Sequence, residues 1–396
     1  MTVKKDRISP HNDRILILSH FLSSLVFSIP IWIVYYQGRV SPAQISFLVG
    51  FQYLVQMVCE LPTGAIADLI GRKKTVILGF LMNAVGMVLI LISRDFGTLA
   101  LAVAALGLGD ALLSGSVEAL IYDSHKQDGT TDRFQSVQAT NSFWFQIGLA
   151  AAAATGAFLF SLWQGLPYVF NVVVLIIAAL LSFRFIEPTV STIRFSFRNY
   201  IAQMRLGLIE AFKTKQAAAM SLFYIAVAGI TWTNNLYFFD YILVELGLNS
   251  FERGWSAAGI RILNITVLKA LLSNPHIFTR SRSVMFFPLV MSICFLPGIF
   301  LAGWWAIPLV GGAVMAGTAR WVILTRYTNE YFDSKYRATA ISVLSMFVGF
   351  FYITITMASG PVVASYGVRA MYTILGVLSV LFVLPLSIVV LRNSTK

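Results

Sequence analysis

The chain has 396 residues, of which 58% are hydrophobic and only 12% charged, and its mean hydropathy is +0.78. No soluble core hides that much apolar surface, so the sequence reads as a polytopic membrane protein with the lipid bilayer as its main solvent. The formal charge of +12 does not mark a nucleic-acid binder, because the basic residues fall in the loops between apolar runs rather than in one patch.

Spanning a bilayer takes about 20 apolar residues. On that measure the first runs lie at 15–36, 45–70, 75–93, 98–122, 137–161 and 168–185. Lys4, Lys5 and Arg7 resemble a signal-peptide start, but the run behind them is long and lacks a small-residue cleavage site, so it reads as a retained helix. Residues 186–216 carry Arg194, Arg198, Arg205, Lys213 and Lys215, with Ile201, Met204, Leu208, Ile209 and Phe212 at helical spacing. That pattern predicts an amphipathic helix on the cytoplasmic membrane surface. A second set of runs follows at 217–243, 254–272, 284–302, 304–328, 339–364 and 370–391. The expected fold is therefore an all-α membrane protein of twelve transmembrane helices. An N-terminal six-helix bundle fills 1–185, a linker 186–216, and a C-terminal six-helix bundle 217–396.

Lysine and arginine bias sets the orientation. The loops on the terminal side hold most of the basic residues, while the other side holds only Arg39, Arg94, Arg253 and Arg369. Both termini are thus expected in the cytoplasm, and the chain in the cytoplasmic (inner) membrane. Trp163, Trp255, Trp304 and Trp305 fall at the outer turns, as an interfacial aromatic belt requires. The two sets also look like a repeat. Asp110 is followed after twelve residues by Asp123-Ser124, and Arg320 after twelve by Asp333-Ser334. Repeats of this kind build many transporters.

Between the second and third runs stands Gly64-Ala-Ile-Ala-Asp68-Leu-Ile-Gly71-Arg72-Lys73-Lys74, a tight basic turn. With its full Gly-x-x-x-Asp-x-x-Gly-Arg-Lys-Lys pattern it resembles the signature loop between helices 2 and 3 of the major facilitator superfamily of secondary transporters. Glu60-Leu61-Pro62-Thr63 just before it is similar to the drug-efflux-type branch. The resemblance implies two six-helix bundles and alternating access, with helices 3, 6, 9 and 12 as outer scaffold. It also implies a conformational latch. Asp68 would approach the start of helix 11 at Arg337–Thr339, Arg72 would hold Asp123, and both contacts would favour an outward-open state. A carboxylate at a helix N-terminus and a two-pronged guanidinium–carboxylate pair make those contacts chemically sound. The alternative is a turn needed only for positive-inside insertion. Two departures from the family pattern stand out. Asp110 occupies the place where proton antiporters often have arginine, and Gly156-Ala157 replaces the Gly-Pro pair of helix 5.

Charges within apolar runs are costly and normally face protein or a watery cavity. Here they are Glu60, Asp110, Glu118, Asp240, Arg261, Lys269 and Arg320. The acids Asp110, Glu118, Glu60 and Asp240 are the candidates for proton coupling, because a carboxylate desolvated in one state and paired in another changes its affinity for protons. Asp110 and Glu118, on one continuous helix, would stand about 12 Å apart along it and roughly 80° around it. Each acid also admits a plainer role, a permanent pair such as Asp240 with Arg261 that only holds helices together. Arg261, Lys269, Arg320, Trp144, Trp232 and Tyr237 are the candidates for lining a substrate cavity, the aromatics suiting flat or cationic compounds. His20 titrates or simply packs.

Cys59 and Cys294 lie inside apolar runs and read as small buried hydrophobes. No phosphate loop, nucleophile motif or metal-ligand spacing occurs, so neither an enzyme nor an ATP-driven pump is expected, and no cofactor. The favoured function is proton-coupled efflux of a small amphipathic or drug-like compound by a monomer. The alternatives are import of a polar organic solute or anion through the bases, or a transport-dead sensor that keeps the fold.

Overall fold

The structure, a computed structural model, describes residues 7–189, 197–272 and 279–394. Every regular element among them is helical, and nine segments are long and apolar enough to cross a membrane. The shorter or interrupted helices fit a count of twelve spans. The helices form two compact units. One contains Met1–Val40 and Phe51–Ser196, the other Ser41–Gly50 and Phe197–Lys396.

The first unit is built from α1 (Ser9–Ser24), α2 (Trp32–Gln37), most of α3 (Pro42–Ile70), α4 (Arg72–Ile92), α5 (Phe96–Leu113), α6 (Ser116–Asp128), α7 (Phe134–Leu162) and α8 (Leu166–Ser182). Its apolar core sits where α1, α4, α6 and α8 meet, around Leu16, Val76, Phe80, Leu120, Ile121 and Ala178. Two runs expected as single helices are broken here. The 15–36 run stops at Ser24 and resumes at Trp32. Pro30 cannot donate a backbone hydrogen bond and clashes with a continuing helix. Local turns meet most of the backbone groups there, and α8 braces the break: Asn171 Oδ1 accepts from Phe27 N at 2.8 Å, and Asn171 Nδ2 donates to the Ser28 side-chain Oγ at 2.9 Å. In lipid such a break survives only where protein satisfies the backbone.

The 98–122 run is broken at Ser114–Gly115, where Gly115 takes φ +72°. That left-handed conformation is natural for glycine and uncommon for other residues. Asp110 therefore ends α5 and Glu118 opens α6, so the continuous-helix spacing expected for these two acids does not apply.

The second unit comprises α9 (Phe197–Ala211), α10 (Lys215–Thr233), a π-helical segment (Asn234–Phe238), α11 (Phe239–Glu245), α12 (Ser250–Leu272), α13 (Arg280–Phe295), α14 (Ile307–Asn329), α15 (Arg337–Ala358), α16 (Gly360–Leu378), a second π-helical segment (Ser379–Val383) and α17 (Leu384–Ser394). The amphipathic pattern of the joining segment does form a helix, α9. Its Ile201, Met204 and Leu208 share an apolar groove with Val343, Met346 and Phe347 of α15. Its C-terminal end is pinned by charge. Buried Glu210 accepts from Asp333 N at 2.5 Å and from Lys213 Nζ at 2.8 Å, and Lys213 lies 3.1 Å from the Asp333 carboxylate. The hydrogen bond to Glu210, followed by that to Asp333, holds the Lys213 ammonium above its ordinary pKa. Both cysteines are free; Cys294 is buried, whereas Cys59 is only half-buried.

Candidate functional site

In the first unit a cavity of about 650 Å³ is lined from seven of its helices, six of which contribute polar side chains. α1 supplies His20, α3 Gln52 and Gln56, α4 Asn83, α5 Asp110, α6 Glu118 and α8 Asn171. This polar strip shares the wall with apolar side chains such as Phe80, Leu106 and Val174. Its electrostatic centre is Asp110. Asn83 Nδ2 donates to Asp110 Oδ1 at 3.1 Å, and Gln52 Nε2 to Oδ2 at 3.4 Å. Both partners are neutral amides, so the acid is hydrogen-bonded but has no ion-pair partner among the described residues.

Gly109 makes this geometry possible. A Cβ there would run into the Asn83 amide and stand 2.9 Å from the Asn83 backbone nitrogen. Small residues let membrane helices approach this closely. Two turns along α3, exposed Glu60 accepts from Gln56 Nε2 at 3.5 Å and from Ser114 Oγ at 3.2 Å. Glu118, also exposed, sits on the cavity wall with Asp110. His20 Nδ1 lies 3.0 Å from Asn141 Nδ2. Trp144 is partly exposed and packs edge-on against Phe21; its neighbour Phe145 lines the cavity.

The other expected cavity residues belong to the second unit. Arg320 is 2% exposed. Its Nη1 donates to the Tyr224 hydroxyl at 3.3 Å, and its guanidinium lies 4.4 Å from the centre of the Trp321 ring. Arg261 is half-buried, its guanidinium 5.9 Å from the centre of the Phe239 ring, and Lys269 is exposed in the last turn of α12. Asp240 is half-buried in the first turn of α11. Tyr237 is fully buried in the π-helical segment, its hydroxyl 2.7 Å from Ser46 Oγ, and Trp232 stacks at 6.1 Å on Tyr352.

The basic turn is tied within the first unit. Gly71 adopts φ +96° and α4 starts directly after it. Arg72 Nη1 hydrogen-bonds Asp123 Oδ2. Gly64 faces open space, and the Asp68 side chain lies outside the described residues. Arg337 opens α15 in the second unit and donates to the Phe332 carbonyl at 3.3 Å.

Sequence reasoning missed three contributors. Asn83 and Asn171 lie on the third and sixth runs, expected as plain scaffold, yet both line the cavity. An asparagine in an apolar run was the available signal, since such groups seek partners. The third is Glu187. Its carboxylate accepts from Arg72 N and Lys73 N, both at 2.8 Å, and so holds the positive end of α4. An acid two residues past the sixth run, just before Pro188, was its only trace.

Apolar helices in two compact units, with hydrogen-bonded polar groups kept inside, define a multi-pass membrane protein of transporter type. A profile of the Major Facilitator Superfamily matches residues 16–274. The chain belongs to this superfamily, whose members are transporters and not enzymes. The uncharacterized MFS-type transporter YxaM of Bacillus subtilis (strain 168) is 23% identical over 363 residues, which cover 89% of this chain and 88% of that protein. Among solved structures, the nucleoside transporter NupG superposes with a TM-score of 0.74 at 14% identity, covering 96% of this chain and 98% of that one. A bacterial homologue of the human lysosomal transporter Spinster gives 0.73 at 16% identity, with 98% and 99% covered. The POT family transporter PepTSo gives 0.72 at 11%, again with 98% and 99% covered. These likenesses establish the fold.

Proposed function

We propose that this chain is a proton-coupled secondary transporter that exports a small amphipathic organic compound by alternating access. It works as a monomer in the cytoplasmic membrane with both termini in the cytoplasm. One observation carries the coupling: Asp110 stands on the wall of a polar cavity with, among the described residues, only the neutral amides of Asn83 and Gln52 as partners. A carboxylate locked to a base stays ionised. One held by amides can take up a proton without leaving a cation stranded, so its charge can alternate through a cycle. Glu118 on the same wall and Glu60 near the end of the Gln52–Gln56 row are placed to pass protons to and from it. The resemblance of Gly64–Lys74 and of Glu60-Leu61-Pro62-Thr63 to drug-efflux sequences supports export.

Flux in proteoliposomes with an imposed pH gradient tests the reading against a compound panel. An antiporter accumulates its compound on the acidic side, because protons leave that side as the compound enters it. Accumulation on the alkaline side means symport and import, and absence of flux in either direction supports a sensor. Asp110→Asn should abolish accumulation while leaving expression and gradient-free exchange in place. Full uphill transport by that variant removes Asp110 as the proton carrier.

A further inference from the structure

The second unit holds a buried charge that its surroundings do not neutralise. Arg320 is 2% exposed, and among the described residues no carboxylate pairs with it. Its neighbours are neutral: the Tyr224 hydroxyl, the Trp321 and Tyr224 rings at 4.4 and 5.6 Å, and, one turn earlier on α14, the Asn235 amide packed against Gly317. Ring faces attract a guanidinium, but far less strongly than water or a carboxylate does. An arginine cannot shed its proton to escape the cost of burial.

The free edge of the side chain is specific. Nη1, on the side of the guanidinium away from the Nε–H, is spent on Tyr224, while Nε is buried without a partner. The Nε–H and the adjoining Nη2–H point the same way, as a fork that matches the two oxygens of a carboxylate. Two further features mark the place. The neighbouring helix is widened into a π-helical turn at Asn234–Phe238, a distortion common at functional sites. The ring that covers the guanidinium, Trp321, is itself 53% exposed.

We propose that Arg320 is the anion receptor of this transporter: the Nε/Nη2 edge takes the carboxylate of the carried solute, with Trp321 as the movable cover. This rests on the transport reading and narrows it to solutes that carry a carboxylate.

Binding to the purified full chain in detergent tests the proposal apart from transport. Benzoate and benzamide are the probes, alike in shape and different in charge, with affinities read by calorimetry. Wild type is expected to prefer benzoate at least about tenfold, the scale of one charge-assisted hydrogen bond. Arg320→Gln should lose that preference, and Arg320→Lys should lose most of it, because an ammonium offers no fork. Benzamide binding should be unchanged in both. Equal binding of the two probes by wild type overturns the proposal, as does a preference that survives in Arg320→Gln. Should the Arg320 variants fail to fold, Trp321→Ala decides. It keeps the guanidinium and removes its cover, so benzoate affinity should rise several-fold while benzamide affinity stays constant; an unchanged ratio counts against the receptor. A failure in this assay leaves proton-driven flux intact, whereas loss of all flux in proteoliposomes alongside normal benzoate binding counts against the transport reading alone.

Discussion

The two units carry their intramembrane charges by opposite means. In the first, Asp110 is surrounded by amides that donate hydrogen bonds; in the second, Arg320 lies between aromatic rings and a hydroxyl. The difference follows from what each group can do when water leaves. A carboxylate has an exit, since protonation removes its charge, and an amide suits it in both forms. A guanidinium has none, so it keeps its charge and is left with a hydroxyl and polarisable ring faces. On the proposed reading, one unit is built around a charge that can come and go, the other around a charge that stays. Both units also begin a helix in the same way. A glycine with positive φ precedes it, and a carboxylate from elsewhere grips the first backbone N–H groups: Glu187 on α4 after Gly71, and Glu245 on Val368 N (2.5 Å) and Arg369 N (3.2 Å) after Gly367, where α16 kinks and its helix restarts.

The largest effect should come from Asp110→Asn. Uphill flux is expected to fall by roughly 10²-fold, the lower scale of losing a required proton-transfer group. Measured in proteoliposomes, unaltered accumulation would erase the contrast between a switchable and a permanent charge. Next is Tyr224→Phe, which strips the one hydrogen bond that holds the Arg320 guanidinium among the described residues. A hydrogen bond to a charged group is worth about 1.5–3 kcal/mol, so a lower melting temperature in detergent is expected; an unchanged one would mean the rings alone support the charge.

Gly109→Ala presses a methyl group into Asn83 and should destabilise by roughly 1–3 kcal/mol, as overpacking does. Adding Asn83→Ala should recover part of that loss, a coupling visible only if the two touch. Simple additivity in thermal unfolding would show that the amide is not seated on this glycine. The smallest effects belong to the two carboxylate grips. Glu187→Gln and Glu245→Gln should each cost about 1 kcal/mol, the scale of a helix cap with its dipole contribution. Near-equal losses support one device used twice; a loss in one variant only would separate the two.

Much of this architecture was legible in the sequence because hydropathy and charge bias are local sums. The spans, the linker helix and the basic turn at Gly71–Lys74 each announce themselves within about 20 residues. The acids and bases of the candidate sites were visible for the same reason, as charges standing in apolar runs. Their partners were not. Asn83 reaches Asp110 across 27 positions, Asn171 reaches Phe27 across 144, and Glu187 reaches Arg72 across 115. An asparagine or a terminal glutamate looks the same in the chain whether it meets such a partner or not.

By itself, then, the sequence determined where the chain enters lipid and which charges it carries there, since transfer from water to hydrocarbon depends on composition over a short window. The tertiary structure decided which residues that can interrupt a helix, such as Pro30 and Gly115, actually break a span. An interruption such as Leu25–Ile31 is tolerable only when its backbone groups find partners in protein; local turns supply most of them, and Asn171 on α8 adds an acceptor for Phe27 N. The state of each buried charge was decided in the same way. Whether Asp110 faces an amide or a base, and whether Arg320 keeps a free edge, depends on helices that pack beside it in space and lie far from it along the chain.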